Sequence, residues 1–244
     1  MLINKFKNVI FRMINNSFGR VIRSLHKMLP EEQYSIFKEL KLRSLRLSAQ
    51  FVETSMPYAI YFDRKEAMWD YCLSNSKSNQ ATLLEFGVFQ GYSINYFADA
   101  RPSFTLFGFD SFLGLEEDWG GYVLTKSALS LQGKIPHVRN NVKLISGTFE
   151  NTLPRFLENN DLKELFIIHI DSDTYSPAKF VLENLRLHLS SGVIIIFDEF
   201  FNYPGYLFHE FKAWNEFSNS WNINFRYIAY SNESVAIQIV DNVI

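Results

Sequence analysis

Five short apolar runs constrain this chain more than any other feature. They are "TLLEFGV" (82–88), "FTLFGFD" (104–110), "VKLISG" (142–147), "LFIIHID" (165–171) and "GVIIIFDE" (192–199). None shows the polar alternation of a half-exposed strand, so each reads as a strand buried on both faces. Helical segments separate several of them: "SINYFADA" (93–100), "PRFLENN" (154–160) and "SPAKFVLENLRLHL" (176–189). Strands alternating with helices predict an α/β fold with a doubly wound, mostly parallel sheet. The chain then closes with "WNINFRYIAY" and "SVAIQIV", joined by "SNE". These read as an antiparallel strand pair at the end of the sheet.

The residues before 80 follow a different pattern. "EEQYSIFKELKLRSLRLSAQFVE" (31–53) carries apolar residues at helical spacing, with Pro30, Glu31 and Glu32 suited to its start. "DRKEAMWDYCLSN" (63–75) reads as a second helix, and "SNSKSNQ" as a polar connection. The expected organisation is an N-terminal helical extension or lid over 1–78 and a main domain over 79–244. The first thirty residues are basic, with apolar Phe6, Val9, Ile10, Met13 and Ile14 at helical spacing. Two readings stand for them: a helix that packs on the domain or on a second copy, giving a homo-oligomer, and a helix that lies on a membrane surface. No apolar run approaches the roughly 20 residues of a bilayer span. The 47% apolar content fits a folded globule, and the single cysteine, Cys72, fits a reducing, cytoplasmic compartment. A net charge of −2 gives no reason to expect nucleic acid as a partner.

"LLEFGVFQGYS" (83–93) is a strand, a glycine turn and a helix start. Gly87 and Gly91 allow close approach of a ligand to backbone, and Ser93 is placed to cap the helix. A dinucleotide loop needs a different glycine spacing, and Phe89 stands where its second glycine belongs. Glu85 near the strand end repels a pyrophosphate but suits a cation or a hydroxyl. The next strand ends in Asp110, positioned to accept hydrogen bonds from ribose hydroxyls. A ligand with a ribose, a positive charge and no phosphate fits this set, and S-adenosylmethionine is such a ligand.

Further along, "HIDSDTY" ends the fourth run with Asp171 and Asp173, and "FDEF" ends the fifth with Asp198 and Glu199. Parallel sheets bind ligands at the carboxyl ends of their strands. Residues two apart in an extended chain point the same way, so Asp171 and Asp173 are expected to face one site. Carboxylates gathered this densely repel one another unless a cation sits among them, and oxygen ligands favour Mg²⁺, Mn²⁺ or Ca²⁺. Capping the helix that begins near Pro177 does not require both aspartates, since Ser176 suffices. His169, inside the strand, reads as a core histidine.

The runs "EFGVFQGYS", "LFGFDSFLGLEEDW", "LISGTFENTLP", "HIDSDTYSPAKFVLENL" and "GVIIIFDEF" together resemble the class I S-adenosylmethionine-dependent methyltransferases. Within these the chain is similar to the macrocin O-methyltransferase group, which methylates sugar hydroxyls. The resemblance covers about residues 80–215 and implies a Rossmann-like fold. It implies a cofactor-binding set of Glu85, Gly87, Gly91, Ser93, Asp110, Gly147, Thr148 and Asp171, with the adenine near Gly147 and Thr148. It also implies a divalent metal, Mg²⁺ by preference, on Asp171, Asp198 and Glu199, and Asp173 as general base. The chain departs from the group at Glu199, where an aspartate is usual.

The aromatic segment "FDEFFNYPGYLFHEFKAWNEF" (197–217) is expected to be mostly core, with part of it walling an acceptor site. His209 and Glu210 follow its turn, and His209 is a candidate second proton acceptor. The aperiodic stretch 116–141, with Trp119 and His137, reads as a binding loop. The implied acceptor is a hydroxyl of a sugar or glycosylated small molecule. Two other functions remain open at this point: an Asp-x-Asp glycosyltransferase that uses a sugar nucleotide, and a non-catalytic domain that keeps the fold.

Overall fold

The computed structural model describes residues 35–76, 78–115, 117–120 and 125–241. The expectations for the first thirty-odd residues, including the basic helix, lie outside these. Among the described residues no helix is long and apolar enough to cross a membrane.

In chain order the elements are α1 (Ile36–Ser55), β1 (Ile60–Tyr61), α2 (Lys65–Ser74), β2 (Thr82–Phe86), α3 (Tyr92–Ala100), β3 (Thr105–Asp110) and β4 (Val142–Ser146). They continue with α4 (Phe149–Asn159), β5 (Leu165–Ile170), α5 (Tyr175–Leu185), β6 (Ile194–Phe197), α6 (Glu210–Ser220), β7 (Phe225–Tyr230) and β8 (Val235–Ile239). Among the described residues, those from Ser44 onward form one compact unit that holds the whole sheet, and those up to Arg43 belong to another.

All five apolar runs are strands of one sheet, in the order β1-β7-β8-β6-β5-β2-β3-β4. β2 to β6 pair in parallel, and the winding reverses between β2 and β5, which are neighbours. The closing antiparallel pair forms, with two differences from expectation. β8 runs antiparallel between β6 and β7, so it alone opposes the rest. The edge beyond β7 is β1, which pairs with it in parallel at Ile60 and Tyr61. Two residues carry no detectable strand pattern, so β1 was hidden in a stretch that otherwise reads as helix.

Strand alternation divides the core. Leu84 and Phe86 of β2, Ile168 and Ile170 of β5, and Ile195 and Phe197 of β6 face α4, α5 and α6. Leu83, Ile167, Ile194 and Ile196 face the other way, where Met68, Trp69, Cys72 and Leu73 of α2 and Ile94 and Phe97 of α3 cover them. Most aromatics of 197–217 are core as expected, with Phe200, Tyr203, Trp214 and Phe217 all nearly inaccessible. α4 starts at Phe149, upstream of the expected Pro154, which it carries inside. α5 starts at Tyr175, ahead of Ser176 and Pro177.

Candidate active site

A cleft opens at the carboxyl ends of β2 to β5, where the winding reverses. That is the place at which sheets of this kind bind small ligands. Gly87 and Phe89 after β2, Asp110 and Ser111 after β3, Thr148 and Phe149 after β4, and Asp171 to Thr174 after β5 line it. Gly114, Leu115 and Leu129, from the segment following β3, close one side.

Gly87 makes the cleft floor possible. Its φ is +93°, and a Cβ there would lie 1.7 Å from the Asp171 carbonyl oxygen. The Asp171 N–H donates to Phe86 O at 2.9 Å, so the ends of β2 and β5 are drawn into direct contact. Asp110 shapes the turn above. Its Oδ2 accepts from the N–H groups of Val88 and Phe89, both at 2.8 Å, and its Oδ1 accepts from Phe112 N–H at 2.6 Å. Carboxylate oxygens each accept more than one bond, so Asp110 keeps capacity for a hydroxyl in the cleft.

Of the other expected cofactor residues, Thr148 and Asp171 line the cleft, whereas Glu85, Gly91, Ser93 and Gly147 do not. Gly91 begins α3 with φ +81°, and Gly147 turns the chain after β4 with φ +142°. Ser93 is not the helix cap, because α3 already starts at Tyr92. Instead its Oγ donates to Glu85 Oε1 at 3.1 Å. Alternation places Glu85 beside Leu83, on the face under α2 and α3, where it is fully buried. Its Oε2 meets Nδ1 of His169 at 3.0 Å.

His169 is a core histidine with an electrostatic task. Nε2 lies 3.7 Å from Asp198 Oδ1, and Trp69 packs edge-on to the ring. Burial opposes the imidazolium, yet the flanking carboxylates of Asp198 and Glu85 push His169 up to about 10. Asp198 also receives the Lys65 ammonium at 2.6 Å and Ser234 Oγ at 3.2 Å. Burial works against its ionisation too, but His169 and Lys65 outweigh burial and bring Asp198 down to about 2. Glu85, His169, Asp198 and Lys65 thus form a chain in which acids and bases alternate, although burial raises Glu85 above the usual carboxylate range.

Asp171, Asp173 and Glu199 form a second group. One carboxylate oxygen from each lies within 4.8 Å of the others. Asp171 and Asp173 do not meet by strand alternation, because β5 ends at Ile170. Asp173 sits at φ +65°, with Thr174 N–H bonded to Ser172 O at 2.7 Å, so a tight turn brings it back to the cleft. Glu210 joins from the start of α6: fully buried, it accepts from Ser172 N–H at 3.1 Å. Oε2 of Glu210 and Oε2 of Glu199 are buried without a hydrogen-bond partner. Burial first, and then the Asp198 charge, push Asp171 up to about 7. Burial and the surrounding carboxylates raise Asp173, Glu199 and Glu210 well above the usual range. Orphaned, mutually repelling carboxylate oxygens of this kind fit a divalent cation.

A stability prediction follows from these shifts. A carboxyl whose folded pKa is raised stabilises the fold below its unfolded pKa and loses that contribution as pH rises through the folded value. For Asp171 the window runs from 3.8 to about 7. His169, raised from 6.5 to about 10, acts in the same direction at higher pH. Asp198, depressed from 3.8 to about 2, matters only in strong acid. In chelator, the melting temperature is expected to be higher at about pH 5 than at about pH 8, and added Mg²⁺ or Mn²⁺ to narrow the gap. Melts in the reverse order would contradict the repulsion.

His209 is not brought to the cleft. It is buried, and its Nε2–H donates to the Gly120 carbonyl at 2.8 Å while Tyr203 stacks on the ring. Glu210, its neighbour, is the residue that reaches the acids. Phe89 is a further cleft residue, recognisable beforehand only as the bulky side chain in a glycine turn.

Residues 84–200 match the family model of a methyltransferase domain. The chain carries a methyltransferase domain. Solved structures share its fold. CalS11, the calicheamicin methyltransferase, is 22% identical with a TM-score of 0.62, over 85% of this chain and 94% of its own. An apo structure of CalS11, a TDP-rhamnose 3'-O-methyltransferase, gives 22% identity and 0.54, over 85% and 96%. The O-methyltransferase NovP gives 22% and 0.54, over 72% and 80%. No curated protein sequence matches the chain. Within the methyltransferase domain, the cleft described above occupies the matched segment from Gly87 to Pro177.

Proposed function

We propose that the domain transfers the methyl group of S-adenosylmethionine to a hydroxyl of a sugar or glycosylated small molecule, assisted by a divalent cation. The lining of the cleft carries this reading. Asp110, Glu150, Asp171 and Asp173 border it, and no lysine or arginine does among the described residues. Such a surface attracts a sulfonium and repels a diphosphate, which argues against a sugar-nucleotide donor. Asp110 accepts the ribose hydroxyls, Thr148 and Phe149 border the adenine, and Gly87 lets the donor lie close to the backbone. The sugar acceptor is suggested by CalS11, a TDP-rhamnose 3'-O-methyltransferase of the same fold.

The donor supplies a methyl already activated by its positive charge, so the chain's work is alignment and removal of one proton. Asp173 lines the cleft and takes that proton from the acceptor hydroxyl. Asp171 and Glu199, with one further carboxylate, would hold the cation, which acidifies the hydroxyl when bound.

Calorimetric titration of S-adenosylhomocysteine into the full chain, with magnesium and then with chelator, is the test. Micromolar binding is expected, and Asp110→Ala is expected to weaken it about a hundredfold, because charged hydrogen bonds to two ribose hydroxyls are lost together. Absence of binding in both conditions would overturn the reading. Thermal stabilisation by a uridine or guanosine diphosphate sugar alone would then favour glycosyl transfer, and binding of neither a non-catalytic domain.

A further inference from the structure

Asp198 and Glu199 are adjacent in sequence but belong to different charge environments. Asp198 continues the alternation of Ile194 and Ile196 toward α2 and α3, and two cations meet it there. Lys65 Nζ reaches Oδ2 at 2.6 Å, and His169 faces Oδ1 at 3.7 Å. Lys65 opens α2, 133 residues away in sequence, and its ammonium also lies 5.4 Å from the Trp69 ring centroid. Glu199 continues the alternation of Ile195 and Phe197 toward α6. Its carboxylate groups with those of Asp171 and Asp173 within 4.8 Å, while Asp171 also groups with His169 and Asp198 at the same spacing, so that the Lys65 ammonium on Asp198 is what separates the two sets. Among the described residues, none of these three is in an ion pair. The fully buried Glu210, with Oε2 unpartnered, is bonded to Ser172 between the two aspartates and adds to this group's unmet charge.

We propose that Lys65 is the built-in counter-ion of Asp198, and that it confines the divalent-cation site to Asp171, Asp173 and Glu199, leaving Asp198 outside the ligand set. The inference rests on the metal-assisted reading above. A divalent cation on Asp198 would stand a few ångströms from a fixed ammonium and would have to displace it. A cation on the other three has no hydrogen-bonded ammonium to displace among the described residues, since Lys65 reaches Asp198 alone at that distance. Asp173 then serves both purposes, one oxygen toward the cation and the other toward the acceptor hydroxyl.

The test is Mn²⁺ affinity of the full chain, measured by electron paramagnetic resonance, with S-adenosylhomocysteine binding measured on every variant as a check of fold and donor site. The double variant Lys65→Met/Asp198→Asn removes the ion pair without changing net charge. It is expected to bind Mn²⁺ within about threefold of the parent, whereas Glu199→Gln weakens binding at least about tenfold. Lys65→Met alone frees Asp198 and removes a nearby positive charge, so it is expected to bind Mn²⁺ about tenfold more tightly. Lys65→Arg keeps the charge and is expected to match the parent. Loss of Mn²⁺ in the double variant as severe as in Glu199→Gln, or no Mn²⁺ binding by the parent, would overturn the inference. Should the double variant fail to fold, Lys65→Met decides: unchanged or weaker affinity overturns it. Failure of the parent to bind S-adenosylhomocysteine strikes the methyltransferase reading instead, whatever the Mn²⁺ result.

Discussion

Replacing Gly87 by alanine is expected to cost the fold about 3 kcal/mol or more and to lower its melting temperature by roughly 10 °C. The added methyl would sit 1.7 Å from the Asp171 carbonyl oxygen, a separation close to a covalent bond. No rotamer change relieves this, because both atoms are fixed to backbone. The end of β2 must move away from β5, and the Asp171 N–H to Phe86 O bond of 2.9 Å is lost in the process. The left-handed φ of +93° adds a further cost of about 1 kcal/mol for any residue with a side chain. Gly192 supplies the control. Its φ is +97°, but nothing lies within 4 Å of the position its Cβ would take. Gly192→Ala therefore isolates the backbone cost, and its melt is expected to shift by only a few degrees. Equal melts for the two variants would mean that the contact between the strand ends is not tight in solution.

The second large effect is on turnover. Asp173→Asn is expected to lower kcat for the accepted hydroxyl by about a thousandfold, the scale of losing a positioned base. Binding of S-adenosylhomocysteine is expected to change little, since the proposed reading assigns it to Asp110 and the glycine turn. Asparagine is the right replacement for a structural reason. Asp173 holds a φ of +65°, and asparagine tolerates that region better than alanine does. The variant therefore removes charge and basicity while keeping the turn. It also takes a buried, mutually repelling carboxylate out of the cluster, so in chelator it is expected to melt above the parent at neutral pH. A drop in kcat below about tenfold would remove Asp173 from the role of base.

The sheet was legible because a strand buried on both faces must be apolar at every position, and such runs stand out from helices of mixed polarity. β1 was not, because two residues cannot show a period. The cleft was legible at strand ends: Gly87, Asp110, Thr148 and Asp171 all line it. Glu85 misled because its nearness to the end of β2 says nothing about which face it takes. Sharing a face of β2 with Leu83 turned it under α2, toward Ser93 and His169. Asp173 reached the cleft by a left-handed turn rather than by alternation, and no glycine or asparagine signalled that turn. Lys65 was invisible for a simpler reason. Its partner is 133 residues away, and one exposed-looking lysine at a helix start gives no hint of a buried carboxylate opposite.

The cleft has walls of two kinds, and they have different freedom to change. On one side are strand ends and the tight turns that follow them, locked by contacts such as Gly87 against Asp171 and the three amides on Asp110. On the other are Gly114, Leu115 and Leu129, carried by a connection whose described residues belong to no strand or helix of the sheet unit. Substitutions on the first side are paid in fold stability, and few survive. Substitutions on the second leave the sheet untouched and alter only what fits against it. Changes in that segment can therefore alter what fits against the second wall while the wall of strand ends keeps its shape.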